Sequence, residues 1–346
     1  MPNRCVFISS PKIGTTSPQP SIFNIYFEMG NSCFKTLSAA ELLEMTSHPN
    51  FCKLIRREHS QVMSVPLRGT IACFSREENL KKNRYSGIPC WDHSRVIISS
   101  RENLVFDDNW KMPLITEETA SYIHANFVDG FKTINKYICT QTPMENTWET
   151  FFKLIWEQQS YVIVSLTDID QDNLKNYQLW VNPEGSKVTF GKYVVRILEI
   201  QEKISYTRTR MQITNIITRT SREITNFWFT DWPDSSIPTG LKEFLNLRKE
   251  VNREQSRLIE EAEKSFQLPG PIVVHCSTGA GWTGTFCAVD NALAQLDKEK
   301  KVSLAQTILK IRSQRHTSVF LPEQYAFCYK VLEYVLLAEG KKLKNY

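Results

Sequence analysis

The stretch Val-Val-His-Cys-Ser-Thr-Gly-Ala-Gly-Trp-Thr-Gly-Thr-Phe, from Val273 to Phe286, constrains this chain more than any other. Two β-branched residues run into His275 and Cys276. Glycines follow at Gly279, Gly281 and Gly284, and the chain then turns apolar with helical spacing. That order predicts a strand, a glycine-rich loop and a helix. In such a loop successive backbone N–H groups point at one spot, and the helix N-terminus adds its positive dipole end, so an anion such as phosphate fits. A cysteine at the mouth of that cradle has its thiolate favoured by the same donors. Held against a phosphate, the thiolate is placed to attack it. The plainer alternative is a small buried cysteine without chemistry; its place at the head of an anion loop argues against that.

At 346 residues there is room for one large α/β domain with an N-terminal extension, or for two smaller domains. Hydrophobic content of 41% and charged content of 23% are ordinary for a globular protein. The formal net charge of +5 would help to draw in an acidic or phosphorylated partner. The basic runs Lys298–Lys301 and Lys341–Lys344 are too short to argue for nucleic acid. Nine cysteines without metal-ligand spacing predict no metal and no cofactor, and an odd count without a secretory signal points to a reducing, cytoplasmic compartment. No apolar run reaches membrane-spanning length.

Residues 1–35 carry Ser, Thr, Pro and Asn with little periodicity and read as a poorly ordered extension; 36–340 read as the folded domain. Were translation to begin at Met29, Gly30 would be a candidate acylation site for a membrane anchor and Cys33 a second, but Phe34 stands where that motif wants Ser or Thr. Ser38-Ala-Ala-Glu41 has the form of a capping box ahead of two short amphipathic helices. Tyr122–Asn126 and Tyr137–Pro143 read as strands entering turns, and Tyr161–Leu166 as an apolar strand. Thr147–Gln158 is an amphipathic helix whose aromatic stripe is core. Val188–Thr218 alternates like antiparallel strands turning at Gly191. Helices are expected at about Gly240–Phe266, Trp282–Lys298, Leu304–Arg315 and Glu323–Leu337.

The Val273–Phe286 stretch resembles the signature of the cysteine-dependent protein tyrosine phosphatases: His-Cys, five residues, Arg, Ser or Thr, Gly. Further motifs follow in that family's order. Lys81-Lys-Asn-Arg-Tyr85 resembles its substrate-recognition loop, with Tyr85 as the aromatic wall. Asp170 and Lys175 stand where the family often has a glutamate and a lysine beside the site. Trp232-Pro233-Asp234, about forty residues ahead of Cys276, resembles the mobile loop whose aspartate protonates the leaving phenolate. Gln324 matches the second of two loop glutamines. The resemblance runs from about Ser38 to Leu337. It implies a single α/β domain with a central, twisted mixed sheet flanked by helices. It also implies Cys276 as nucleophile, Asp234 as general acid, and substrate contacts from Tyr85, Ser277, Thr278, Gly279, Ala280, Gly281, position 282 and Gln324. The narrower resemblance, on Met29-Gly30, the short spacing to Lys81 and the single domain, is to the tyrosine phosphatases of the bracoviruses (polydnaviruses) of parasitoid wasps. It implies a cytoplasmic location in a parasitised insect host, host phosphoprotein partners and action on host immune signalling.

The sequence departs from the family's pattern, and the fold that the resemblance implies would bring three of the departures, Trp282, Gly87 and Phe320, to one pocket. Trp282 replaces the arginine whose planar fork grips two phosphate oxygens; tryptophan offers one N–H and no charge. Gly87 replaces the aspartate that holds substrate backbone, and Phe320 the glutamine that orients the hydrolytic water. Ser236 replaces a hinge glycine. Losing one transition-state donor typically removes ~10²–10³ in rate, and a charged fork is worth ~3–6 kcal/mol. The expectation is a monomeric pseudophosphatase that binds phosphotyrosine-containing or acidic proteins without turnover. The alternative is a working phosphatase acting through a Cys276 phosphocysteine. A thiol-redox protein ranks lower, because Cys287 falls inside the next helix. His275 is expected to be a structural hydrogen bonder, and Thr283 suits either donation to the thiolate or helix capping.

Overall fold

Val273 and Val274 lie in the third strand of an eight-stranded sheet in the computed structural model of the protein. The structure describes residues 34–99, 120–166, 182–229, 240–263 and 268–343. The expectations for residues 1–33, Asp170, Lys175, Trp232–Asp234 and Ser236 therefore lie outside the described residues. The compact unit considered below begins at Thr36.

A short strand, β1 (Leu37–Ser38), leads into α1 (Ala39–Ser47) and α2 (Phe51–Ser64). The capping box forms as expected: Ser38 Oγ accepts from the Glu41 N–H, and the Glu41 carboxylate accepts from the Ser38 N–H. Two single-turn helices follow, α3 (Ala72–Ser75) and α4 (Glu77–Leu80), and then β2 (Ile98–Ser99) and β3 (Ala120–Ser121). The large sheet takes β4 (Ala125–Gly130), β5 (Thr133–Gln141), β6 (Val162–Ser165), β7 (Lys187–Phe190), β8 (Tyr193–Glu202), β9 (Tyr206–Asn215), β10 (Thr220–Phe229) and β11 (Ile272–Cys276). Helices α5 (Trp148–Glu157), α6 (Leu241–Ala262), α7 (Gly281–Glu299), α8 (Leu304–Gln314) and α9 (Pro322–Leu343) complete it, with β12 (Lys301–Val302) pairing with β1.

The strand order is β4-β5-β11-β6-β10-β9-β8-β7. β11 is parallel to both neighbours, β5 and β6, while β7 to β10 form an antiparallel run. The chain crosses from β5 to β6 through α5 and returns from β10 to β11 through α6. Right-handed crossovers running in opposite directions place their helices on opposite faces. On one face α5 buries Phe151, Phe152, Leu154 and Ile155 against Ile138, Ile163, Val273 and Ile213. Each such side chain contributes about 1.5–3 kcal/mol. On the other, Phe244 of α6 meets Phe286 of α7 and Phe327 of α9 edge to face. The carboxyl end of β11 thus opens at the point where the crossovers diverge, the usual crevice of such sheets.

Asp290 ties the second face together. Fully buried on α7, it accepts from Lys136 and Tyr137 of β5 and from Arg248 and Asn252 of α6. Burial raises its pKa, but the Lys136 and Arg248 charges overcome this and hold it at about 2.

Some boundaries differ from the sequence expectation. Tyr122–His124 precede β4, which runs on to Gly130, because pairing with β5 and not local composition sets its ends. α7 starts at Gly281, before Thr283, α6 ends at Ala262, and α9 continues to Leu343. Among the described residues no helix is long and apolar enough to cross a membrane.

Candidate active site

Ile272, Val273 and Val274 are fully buried because β11 has a strand on each side and helices on both faces. Alternation turns Val273 and His275 toward α5 and leaves Cys276 facing the opposite side. The loop after Cys276 closes at Gly279, whose φ is +64°. A Cβ there would stand 2.2 Å from the Thr140 carbonyl, so only glycine fits. The Gly279 N–H donates to the Cys276 carbonyl at 3.1 Å and to its Sγ at 3.2 Å. Cys276 is 2% exposed. Thr278 Oγ1 accepts from the Ala280 and Gly281 N–H groups at 3.2 and 3.4 Å and lies 3.8 Å from the Cys276 Sγ.

His275 is structural. Ser165 Oγ donates to Asn226 Oδ1 at 2.8 Å, so the His275 Nε2–H, 2.7 Å away, donates to Ser165. Nδ1 then accepts from Thr142 Oγ1 at 3.1 Å. Burial, with the Arg84 charge in support, pushes the imidazole down to about 3. It stays neutral and props the end of β11.

Arg315 holds the loop from below, a role that the sequence reading did not single out. It is fully buried at the C-cap of α8. Its guanidinium donates to the carbonyls of Gly279 at 2.8 Å and Thr278 at 3.1 Å, to Asn126 Oδ1 at 2.7 Å and to His124 Nδ1 at 3.0 Å. Pulling two loop carbonyls outward turns the intervening N–H groups inward, which is what an anion cradle needs. Arg315 follows Lys310 and Arg312 of the same helix, so no local signal set it apart from its basic neighbours.

Tyr85 reaches the same loop: its hydroxyl lies 2.6 Å from Ser277 Oγ. Gln141 of β5 anchors the Tyr85 segment, accepting from the Arg84 N–H at 2.9 Å and donating to the Lys82 carbonyl at 2.8 Å. Gly87 is exposed, and a Cβ there would meet nothing within 4 Å, so the missing anchor is not a steric necessity. Phe320 and Gln324 both come up to the loop: a Cβ on Gly281 would stand 3.0 Å from the Phe320 ring and 2.6 Å from Gln324 Nε2. Trp282 is half-buried in the first turn of α7. Thr283 takes neither role expected of it. Its buried hydroxyl has no hydrogen-bond partner among the described residues, and the earlier start of α7 moves it past the capping position. Cys287 is directed away from the loop, onto Cys139 with Sγ atoms 3.7 Å apart.

The structure therefore gathers Cys276, Ser277, Thr278, Gly279, Ala280, Gly281, Tyr85, Phe320 and Gln324 at one end of β11. Asp234 lies outside the described residues.

Comparison with known proteins agrees with this geometry. Residues 79–334 match the family model described as protein-tyrosine phosphatase. Tyrosine phosphatase H3 of Microplitis demolitor bracovirus (isolate Webb) is 48% identical over 91% of this chain and 99% of its own length. The tyrosine phosphatase-like protein H1 of the same virus is 45% identical over 88% of this chain and 87% of its own. The human tyrosine-protein phosphatase non-receptor type 9 is 37% identical over 80% of this chain and 46% of its own. With the matched region spanning the sheet, the Cys276 loop and the Tyr85 and Gln324 segments, the chain belongs to the protein-tyrosine phosphatase family.

Proposed function

We propose that this protein is a pseudophosphatase: a phosphatase frame that engages phosphotyrosine-containing or acidic proteins and turns them over little or not at all. The observation that carries this is Trp282 in the first turn of α7, six residues beyond the sulfur, where the family signature has its arginine. The indole cannot supply the charged fork that a transferring phosphoryl group draws on in its transition state. Phe320 against Gly281 adds a second deficit, since a ring cannot orient an attacking water as an amide does. Turnover is expected to lie at least ~10³-fold below an ordinary member of the family.

The frame itself supports binding. Cys276, Tyr85 and the loop glycines are in place, and the formal charge of +5 favours acidic partners. We further infer a monomer acting in the cytoplasm of a parasitised insect cell, with host signalling proteins as partners and interference with host immunity as the outcome; the similarity to bracovirus tyrosine phosphatases supports the viral setting alone. Residues 36–340 would carry this activity, with 1–35 as an extension.

The second reading is an active phosphatase, favoured by the Gly279 N–H that meets the Cys276 sulfur at 3.2 Å. There the thiolate would attack phosphorus, Asp234 would protonate the departing phenolate, and water would then hydrolyse the phosphocysteine to inorganic phosphate. Hydrolysis of a small aryl phosphate separates the two. A rate within about tenfold of an ordinary family phosphatase would end the pseudophosphatase reading.

A further inference from the structure

Thr278 stands two residues beyond Cys276, and its side chain turns back over the loop. Its Oγ1 takes up the Ala280 and Gly281 N–H groups at 3.2 and 3.4 Å, while the Gly279 N–H is already directed at Cys276. Three consecutive donors that the cradle would offer an oxyanion thus have acceptors from within the loop. A hydroxyl oxygen that accepts two N–H bonds 3.8 Å from the sulfur stands where one oxygen of a tetrahedral anion would sit. Its own hydrogen remains free to point at the Cys276 Sγ. The N-cap of α7 is Ala280, from which no side chain caps; Thr278, two residues earlier, takes the i+2 and i+3 N–H groups in a local threonine turn. An alanine at 278 would leave both donors to water or ligand.

We propose that Thr278 is a built-in oxyanion surrogate, so that a phosphate-like group enters the cradle only by displacing its hydroxyl from the Ala280 and Gly281 N–H groups. The displaced contacts lower the affinity for any free inorganic oxyanion. A larger ligand carrying the same group offsets that loss through contacts elsewhere, with Tyr85 at the rim as one aromatic surface. The displacement cost is common to both kinds of ligand and sets a threshold, which an oxyanion presented on an aromatic or peptide ligand passes through its additional contacts and a free ion does not. The inference rests on reading the loop as an oxyanion cradle, and not on the absence of turnover.

Titration of tungstate into the full chain by calorimetry tests it, comparing wild type with Thr278→Ala and Thr278→Ser, with thermal melts to establish folding. Releasing two N–H groups is expected to tighten tungstate binding about tenfold in Thr278→Ala. Thr278→Ser, which keeps the hydroxyl, should bind as wild type does. Equal affinity in wild type and Thr278→Ala, including no detectable binding in either, would overturn the proposal, as would an equal gain in Thr278→Ser. Should Thr278→Ala not fold, the isosteric Thr278→Val, which lacks the acceptor, serves in the same comparison. Aryl phosphate turnover on the same samples keeps the two proposals apart. A fast wild type would end the pseudophosphatase reading and leave the tungstate comparison standing. A flat tungstate series would end the surrogate and leave turnover to be judged by itself.

Discussion

The Tyr85 hydroxyl and the Ser277 Oγ lie 2.6 Å apart, although 192 residues separate them in sequence. This bond joins the rim of the pocket to its floor. Tyr85 is 42% exposed, so the bond competes with water and its net contribution is small, about 0.5 kcal/mol. Tyr85→Phe should therefore barely move the urea midpoint. Tyr85→Ala removes the aromatic wall as well, and should reduce recovery of phosphotyrosine proteins from phosphatase-inhibited lysate. Equal recovery by wild type, Tyr85→Ala and Cys276→Ser, unaffected by phosphatase pretreatment of the lysate, would place the binding surface away from this pocket.

Trp282→Arg restores the missing fork. Turnover of an aryl phosphate should rise by about 10²-fold, the usual worth of a transition-state donor. It should stop short of an ordinary family rate while Phe320 and Gly87 remain. Because Gly87 has open space around it, Trp282→Arg combined with Gly87→Asp should fold and lower KM for a phosphopeptide more than for a small aryl phosphate. No gain in Trp282→Arg would mean that the fork is not what limits this site.

Replacing Arg315 by methionine keeps the bulk and deletes the donors. His124 Nδ1 and the carbonyls of Thr278 and Gly279 then lose the Arg315 donor, and Asn126 Oδ1 keeps only the weak Cys90 thiol donor at 3.3 Å. Each orphaned buried acceptor costs about 1–3 kcal/mol, so a loss of more than about 3 kcal/mol is expected in urea unfolding. A loss under about 1 kcal/mol would show that the loop keeps its shape without the clamp.

His124 and His275 set a pH dependence. Both are pushed down to about 3, His124 by burial and then by the Arg315 charge, His275 by burial and then by Arg84. Their ordinary value is 6.5, so between pH 6.5 and 3 the unfolded chain binds the protons that the folded chain refuses. The stability they confer is complete above pH 6.5 and is lost as pH falls toward 3, at about 1.4 kcal/mol per pH unit for each. Asp290, held at about 2, adds its loss only below its ordinary 3.8. Urea midpoints at pH 7.5, 6.0 and 5.0 should fall in that order; a flat series would contradict the neutral, buried assignment.

The strand, glycine loop and helix around Cys276 were legible in the sequence because each rests on local rules. β-branched residues favour the pleated, buried strand, glycine alone tolerates the turn at 279, and apolar spacing of 3.6 specifies the helix. The departures at Trp282, Gly87 and Phe320 were legible for the same reason, as single positions within motifs, and the structure brings Phe320 up to the loop that carries Trp282. What tertiary structure alone decided are the contacts made across the sheet. Ser165 and Thr142 meet under His275 because β11 inserts between β5 and β6, while Arg315 reaches Gly279 from the end of α8 and Gln141 holds the segment before Tyr85 from β5. No local pattern encodes that order. The hydroxyl of Thr278 is a rotamer choice, settled by which N–H groups the folded loop leaves facing it. Composition names the donors and acceptors; only the packed backbone determines which of them come within hydrogen-bond reach.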